Sequence, residues 1–397
     1  MKIVKRLHSF LYIVWGNLLI MQTPVSSKNN SMQTPKGRVL SLDVMRGLIM
    51  ILLAAESCLL YKSLNNLLPD GFANTIVKQF FHHPWHGLHF WDLVQPAFMI
   101  MAGSALYISY YYKSQKGIGW KQNFKHILVR SFKLFICGVA LHCVSAGKLV
   151  WELWNVLTQL SITTIIAYLI IKKSTAFQII FSILMLLLTE FLYRLILMPG
   201  YNQPFVEHKN FGAWFDMLLM GKINPYGWVA INIIPTAAHT IWGVLAGKLL
   251  VQPVGEYKKI KSLIIAAAAV LIVGYGLDTL HITPIIKRIS TSSFVLVSGG
   301  WVLLMMAFLY WITDVKKFNR NASYFVVVGT NAIFIYLFFE TIGEQWLNNT
   351  VAIFVNGFTH LFGAPEKIQA LTSAVATLSL EWYLCYWLYK KKIFFKL

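Results

Sequence analysis

Phe80-Phe-His-His-Pro-Trp-His-Gly-Leu-His-Phe-Trp-Asp-Leu-Val-Gln-Pro-Ala97 is the stretch on which the reading of this chain turns. It gathers four histidines (His82, His83, His86, His89), two tryptophans (Trp85, Trp91) and one acid, Asp92, and runs directly into the apolar segment Ala97–Ile108. Pro84 and Gly87 interrupt any regular helix across the cluster. A junction between loop and membrane normally carries ordinary polar residues. This one carries titratable imidazoles and aromatic rings, then an acid at the edge of the apolar layer. The rest of the chain reads as a helical frame that holds this junction and brings a substrate to it.

Working outward, the 397 residues are 57% hydrophobic and only 13% charged, where a soluble domain carries about 25% charge. Such a chain cannot cover a water-facing surface of its size. It reads as all-α, a polytopic membrane protein of about ten transmembrane helices in one bundle. Residues 1–37 read as a leader or short anchor outside the fold, and 38–397 as the membrane domain. The expected spans are Leu40–Leu60, Phe90–Tyr111, His126–Ala146, Val156–Ile171, Phe177–Met198, Trp228–Val251, Leu263–Asp278, Ser293–Thr313, Tyr324–Thr341 and Ile368–Tyr389. Residues 342–367 are too broken for a span and read as a non-crossing piece.

Lysine and arginine number 35 against 15 acids. In alternate loops the basic residues fall in dense runs, the pattern of cytoplasmic loops. With both termini cytoplasmic, every dense run lies inside except Lys287-Arg288, and the histidine cluster lies outside. The basic residues form no nucleic-acid-binding module. The four cysteines lie in apolar segments without a Cys-x-x-Cys pair and read as small buried hydrophobes. No internal repeat is evident, which weighs against a secondary transporter.

Ionisable groups inside spans cost about 2.5–3.5 kcal/mol each and are functional candidates by default. Asp43 and Arg46 share a helix face three residues apart; a plain structural ion pair explains them equally well. Glu56 lies near the outer end of the first span, on the histidine side. His82 and His86 have the i, i+4 spacing of two metal ligands, but the broken backbone removes its force and a zinc site wants further ligands; no metal is expected. Interfacial packing explains any single histidine better than it explains four. An imidazole at a water boundary can act as general base or nucleophile near neutral pH, and an adjacent acid would fix its tautomer. Asp92 and Glu56 are the acids available. That is the pattern of group transfer.

Arg38-Val-Leu-Ser-Leu-Asp-Val-Met-Arg-Gly47 and His82-His-Pro-Trp-His-Gly-Leu-His-Phe-Trp-Asp-Leu-Val-Gln-Pro-Ala-Phe-Met-Ile-Met-Ala-Gly103 resemble the transmembrane acetyltransferases of the heparan-α-glucosaminide N-acetyltransferase type and their bacterial relatives. Weaker pieces agree: Lys287-Arg-Ile-Ser-Thr-Ser-Ser-Phe294, Tyr310-Trp-Ile-Thr-Asp314 and Gly329-Thr-Asn-Ala-Ile-Phe-Ile-Tyr336. The resemblance spans roughly 38–345. It implies transfer of an acetyl group from cytosolic acetyl-CoA, as co-substrate, to an amino-sugar or similar acceptor across a bacterial inner membrane. It implies His82 as the active histidine, with Trp85 and Gly87 in its motif and Asp43, Arg46 and Asp92 at supporting positions; on the residues themselves, Asp92 or Glu56 would orient the imidazole, with His86 in support. Arg46, Lys133, Lys287, Arg288 and Asn331 are the candidates for coenzyme or acceptor contacts. An acetyl-histidine intermediate and a direct ternary-complex transfer both fit. The chain departs from the family pattern at Gln95 and at Glu56-Ser57, which bears on acceptor identity. The expected partners are the lipid bilayer, a small sugar acceptor and, as a homodimer, a second copy of the chain. The rival reading is a proton-coupled transporter of a small solute, which needs no covalent chemistry; a third is a non-catalytic membrane scaffold.

Overall fold

The computed structural model describes residues 39–395; the expected leader, 1–37, and Arg38 lie outside the described residues. No strand occurs among the described residues, only two isolated bridges. The chain is a bundle of helices. Among the described residues six are long and apolar enough to cross a membrane, or eight when two bent pairs each count as one crossing. The expected ten are not reached, for two physical reasons. The helix Val156–Leu169 has only 14 residues, about 21 Å at 1.5 Å per residue, short of a 30 Å apolar layer. Glu366–Lys390 is long enough at 25 residues but carries Gln, Thr, Ser and Glu381 along its length.

The first helix, α1 (Leu40–Ser57), starts where Asp314 accepts from the backbone N–H groups of Leu40 and Ser41, at 3.1 and 2.8 Å. That carboxylate satisfies two of the orphan donors of the first turn and suits the positive end of the helix dipole. α1 breaks at Leu59, whose φ of 62° is left-handed, and α2 (Leu60–Leu67) leaves at 62° to it. The short α3 (Phe72–Lys78) follows. A single 3₁₀ turn, Phe90–Leu93, leads into α4 (Val94–Gln115). Next come α5 (Trp120–Ala146), α6 (Val156–Leu169), α7 (Thr175–Leu195) and the short α8 (Phe211–Met220). α9 (Ile233–Val251), α10 (Glu256–Thr279) and α11 (Ser292–Tyr310) complete the central layer.

α9 is the hub. It is buried over most of its length and packs along α4, α7 and α6. Its approach to α4 is at backbone distance. A Cβ on Gly103 would lie 2.0 Å from the Thr240 carbonyl oxygen, and one on Gly243 would lie 2.2 Å from that of Ile100. Small residues replace the hydrophobic driving force that lipid cannot supply between membrane helices. A core of α1, α4, α9, α10 and α11 side chains, among them Met45, Ile49, Ile100 and Met306, fills the centre.

The C-terminal part differs from expectation. α12 (Ala322–Gly329) packs on α1 and breaks at Thr330-Asn331; α13 (Ala332–Phe338) then leaves at 72°. The helix continues through a π-helical stretch, Phe339–Leu347, into α14 (Asn348–Leu361). So the break falls inside the expected ninth span, and most of 342–367 is helix rather than irregular chain. α15 (Glu366–Lys390) closes the bundle against α14.

Candidate active site

The segment 80–93 has no regular helix before its final 3₁₀ turn, as Pro84 and Gly87 dictate. Gly87 has φ +141°, and a Cβ there would lie 2.5 Å from the His83 ring, so only glycine lets that ring fold over the turn. The turn is pinned to a segment 200 positions away. His86 pairs with Ile286 in an antiparallel bridge, and the Gly87 N–H donates to the Ile285 carbonyl at 2.8 Å. Asp278 Oδ1 clamps both partners, accepting from the Ile285 N–H at 2.9 Å and lying 2.7 Å from His86 Nε2. Trp85 Nε1 ties the same turn to the Phe205 carbonyl at 2.8 Å. This pairing is what carries Lys287 alongside His82.

Asp92 sits in the 3₁₀ turn with no exposed surface. Its Oδ2 accepts from the backbone N–H groups of His89 (2.9 Å) and His83 (3.2 Å). Its Oδ1 lies 3.1 Å from His82 Nδ1 and 3.3 Å from Lys287 Nζ. A buried carboxylate is tolerated when it is paired and hydrogen-bonded, and this one is both. Lys287 is itself buried, with Nζ 3.0 Å from His82 Nδ1 and 5.4 Å from the centre of the Trp228 ring. Trp228 also meets the His82 ring edge-on at 5.4 Å.

His82 therefore has Nδ1 held by protein, while Nε2 has no protein partner among the described residues. The side chain is 38% exposed, enough for a substrate to reach the ring. Burial of the rest of it, and then the Lys287 ammonium, push its pKa down to about 4, against an opposing pull from Asp92. The imidazole is neutral at physiological pH. Burial also lowers the Lys287 ammonium, and Asp92 pulls it back.

Of the other sequence-derived candidates, Glu56 ends α1 beside the Trp91 indole and within the field of Lys287, so it joins the same end of the bundle. Trp85, His86 and Gly87 build the turn itself. Arg288, also there, pairs with Glu207 at 3.1 Å. Arg46 and Asp43 lie further back along α1, Arg46 Nη1 3.4 Å from Asp43 Oδ1, and Lys133 is exposed at the middle of α5. Asn331 is not brought to either group. Its side chain donates to the Ile393 carbonyl and accepts from the Phe395 N–H, both at 3.0 Å, so its polar atoms clip the C-terminal tail. Sequence reasoning did not single out Trp228, which nothing near it in the chain marks. Arg130, in the sequence an ionisable group inside an expected span that snorkelling alone would explain, is half-buried on α5 and close enough to Arg46 to oppose its charge.

With this geometry established, comparison with known proteins decides the family. The sequence profile described as "Heparan-alpha-glucosaminide N-acetyltransferase, catalytic" matches residues 38–283, well over half the chain. The chain belongs to that family. It is also 24% identical to the heparan-alpha-glucosaminide N-acetyltransferase of Mus musculus, over 80% of this chain and 56% of that protein. The chain thus spans little more than half the length of the relative it matches. Within the heparan-alpha-glucosaminide N-acetyltransferase family region lie His82, Asp92, Glu56 and Arg46; Lys287 stands four positions beyond its matched end.

Proposed function

We propose that this chain is a membrane acyltransferase that moves an acetyl group from acetyl-CoA on the side of the basic loops to an amino-sugar or similar acceptor on the histidine side. The observation that carries the reading is the His82–Asp92 pair: a neutral imidazole with Nδ1 fixed by a buried carboxylate and Nε2 left open. Family membership supports the reaction class.

In the chemistry proposed, His82 supplies one lone pair, that of Nε2. As nucleophile, it forms a bond to the thioester carbonyl carbon while the C–S bond breaks; the Nδ1 proton leaves past Asp92 and ends on the coenzyme thiol. The acceptor amine then forms the new C–N bond, the bond to Nε2 breaks, and the amine's proton returns to the ring. As general base, Nε2 takes the acceptor's proton while the amine attacks the thioester directly, and passes that proton to the departing thiolate. Both routes balance as acetyl-CoA plus amine giving amide plus coenzyme A, and both need Asp92 to hold Nδ1–H.

The donor's residues would lie further back along α1. Arg46 and Glu56 stand ten positions apart, about 15 Å along a helix. Arg130 makes no ion pair or hydrogen bond among the described residues and faces the field of Arg46. Arg46 already pairs with Asp43, and with Arg130 beside it the two guanidiniums would suit the phosphates of a coenzyme. Under this reading the protein sits in a bacterial inner membrane with its basic loops and both termini cytoplasmic.

The test is sidedness. In sealed vesicles with one orientation of the protein, external acetyl-CoA should acetylate glucosamine trapped inside, and coenzyme A should appear outside. Movement of unmodified glucosamine without coenzyme A release would favour a transporter and contradict the proposal.

A further inference from the structure

We propose that Lys287 is a positioning residue for His82: docked on Nδ1, its ammonium excludes the doubly protonated ring and sets which nitrogen carries the hydrogen. The inference rests on the reading of His82 as the reacting imidazole, and it concerns a residue outside the matched family region.

The argument is one of donors and acceptors. Nδ1 has a single in-plane position, which either bears a hydrogen or offers a lone pair. Asp92 Oδ1, at 3.1 Å, can only accept from it; Lys287 Nζ, at 3.0 Å, can only donate to it. The two cannot use Nδ1 together. When Lys287 donates to Nδ1, the ring hydrogen sits on Nε2 and faces substrate as a donor. When Lys287 turns to Asp92 Oδ1, only 3.3 Å away, Nδ1–H donates to Asp92 and Nε2 presents its lone pair. A small rotation of one lysine head thus exchanges the acid and base forms of the substrate-facing nitrogen.

The same geometry disfavours imidazolium. A proton on both nitrogens would set an N–H against an ammonium at 3.0 Å, with Asp92 the carboxylate in contact with both. The charged groups facing His82 are few. Asp92 comes from the turn before α4. Lys287 and Arg288 come from the segment between α10 and α11, Arg288 being paired with Glu207. Glu56 on α1 faces Lys287. Trp91 and Trp228 supply the remaining walls. The depressed pKa of His82, with Lys287 the second cause after burial, agrees with this account.

The experiment reads the imidazole and not turnover, so it succeeds or fails independently of the proposed reaction. The full-length protein in detergent is treated with diethylpyrocarbonate, which acylates neutral imidazole, and modification of His82 is followed by mass spectrometry between pH 7.5 and 5.5. His82→Ala is the blank and free N-acetylhistidine the reference. In wild type the rate at His82 should stay flat. In Lys287→Met it should fall about tenfold at pH 5.5, as for an imidazole titrating near 6.5. If Lys287→Met does not survive extraction because Asp92 is left uncompensated, Lys287→Gln keeps an amide donor for Asp92 without the ammonium and should show the same fall. A flat profile in the lysine-free protein overturns the proposal. So does a wild-type profile that falls with free imidazole.

Discussion

At the residue scale the account centres on one carboxylate. Asp92 satisfies two backbone N–H groups, one imidazole and one ammonium without any exposure to solvent. Replacing it with Asn keeps the volume but leaves the buried Lys287 charge uncompensated, a defect that costs about 3–5 kcal/mol. Asp92→Asn should therefore lower the melting temperature in detergent, and the added change Lys287→Met should restore part of it while activity stays lost. Full recovery of stability and activity in the single variant would contradict the role given to Asp92. In the sequence Asp92 and Glu56 stood equally as acids for His82; the fold sets Asp92 against Nδ1. Lys287 was legible as an anomaly of the charge pattern, with Arg288, and as a candidate for coenzyme or acceptor contacts, but not as a partner of His82. Its partner lies 205 positions away, and no local signal spans that distance. Asn331 shows the converse. A motif match marked it, yet its amide is committed to the backbone of the C-terminal tail.

At the scale of elements, apolar runs announced the helices and hid their bends. Leu59 and Asn331 each stand at a break inside or beside a hydrophobic stretch, and a change of direction there leaves hydropathy unaltered. The breaks depend on backbone conformation and on what the next helix packs against. Close helix contacts were equally silent, since a glycine in an apolar run reads as filler. Gly103 is where α4 touches α9. A Cβ there would meet the Thr240 carbonyl oxygen at 2.0 Å and the Val244 nitrogen at 2.9 Å. Both are backbone atoms that cannot rotate away, and overpacking of this kind costs about 1–3 kcal/mol. Gly103→Ala should lower the melting temperature by several degrees, and the displaced α4 should also reduce activity, because Asp92 lies on the turn that leads into it. Gly119→Ala, where a Cβ would meet nothing within 4 Å, is the control and should behave as wild type. Equal melting temperatures for the two variants would show that the α4–α9 approach is not tight.

At the scale of the whole molecule, the helices set two groups of residues apart in one bundle. His82, Asp92, Lys287, Trp228 and Glu56 stand at one end, and Arg46 and Arg130 lie away from it. Class and family were readable from composition and two motifs. The grouping across the bundle was not, because it joins α1, α5 and segments around 90 and 287 that only tertiary structure brings together. A groove of about 800 Å³ between α7 and α10 is lined almost wholly by apolar side chains and does not include His82. The central claim is that His82 reacts in acetyl transfer. Its most direct measurement uses purified protein in detergent, radiolabelled acetyl-CoA and glucosamine, with wild type and His82→Ala compared at equal thermal stability. Label should pass to glucosamine and, on the acyl-histidine route, to the protein when the amine is withheld, and His82→Ala should abolish both. Transfer that persists in His82→Ala would move the chemistry to another residue and contradict the account.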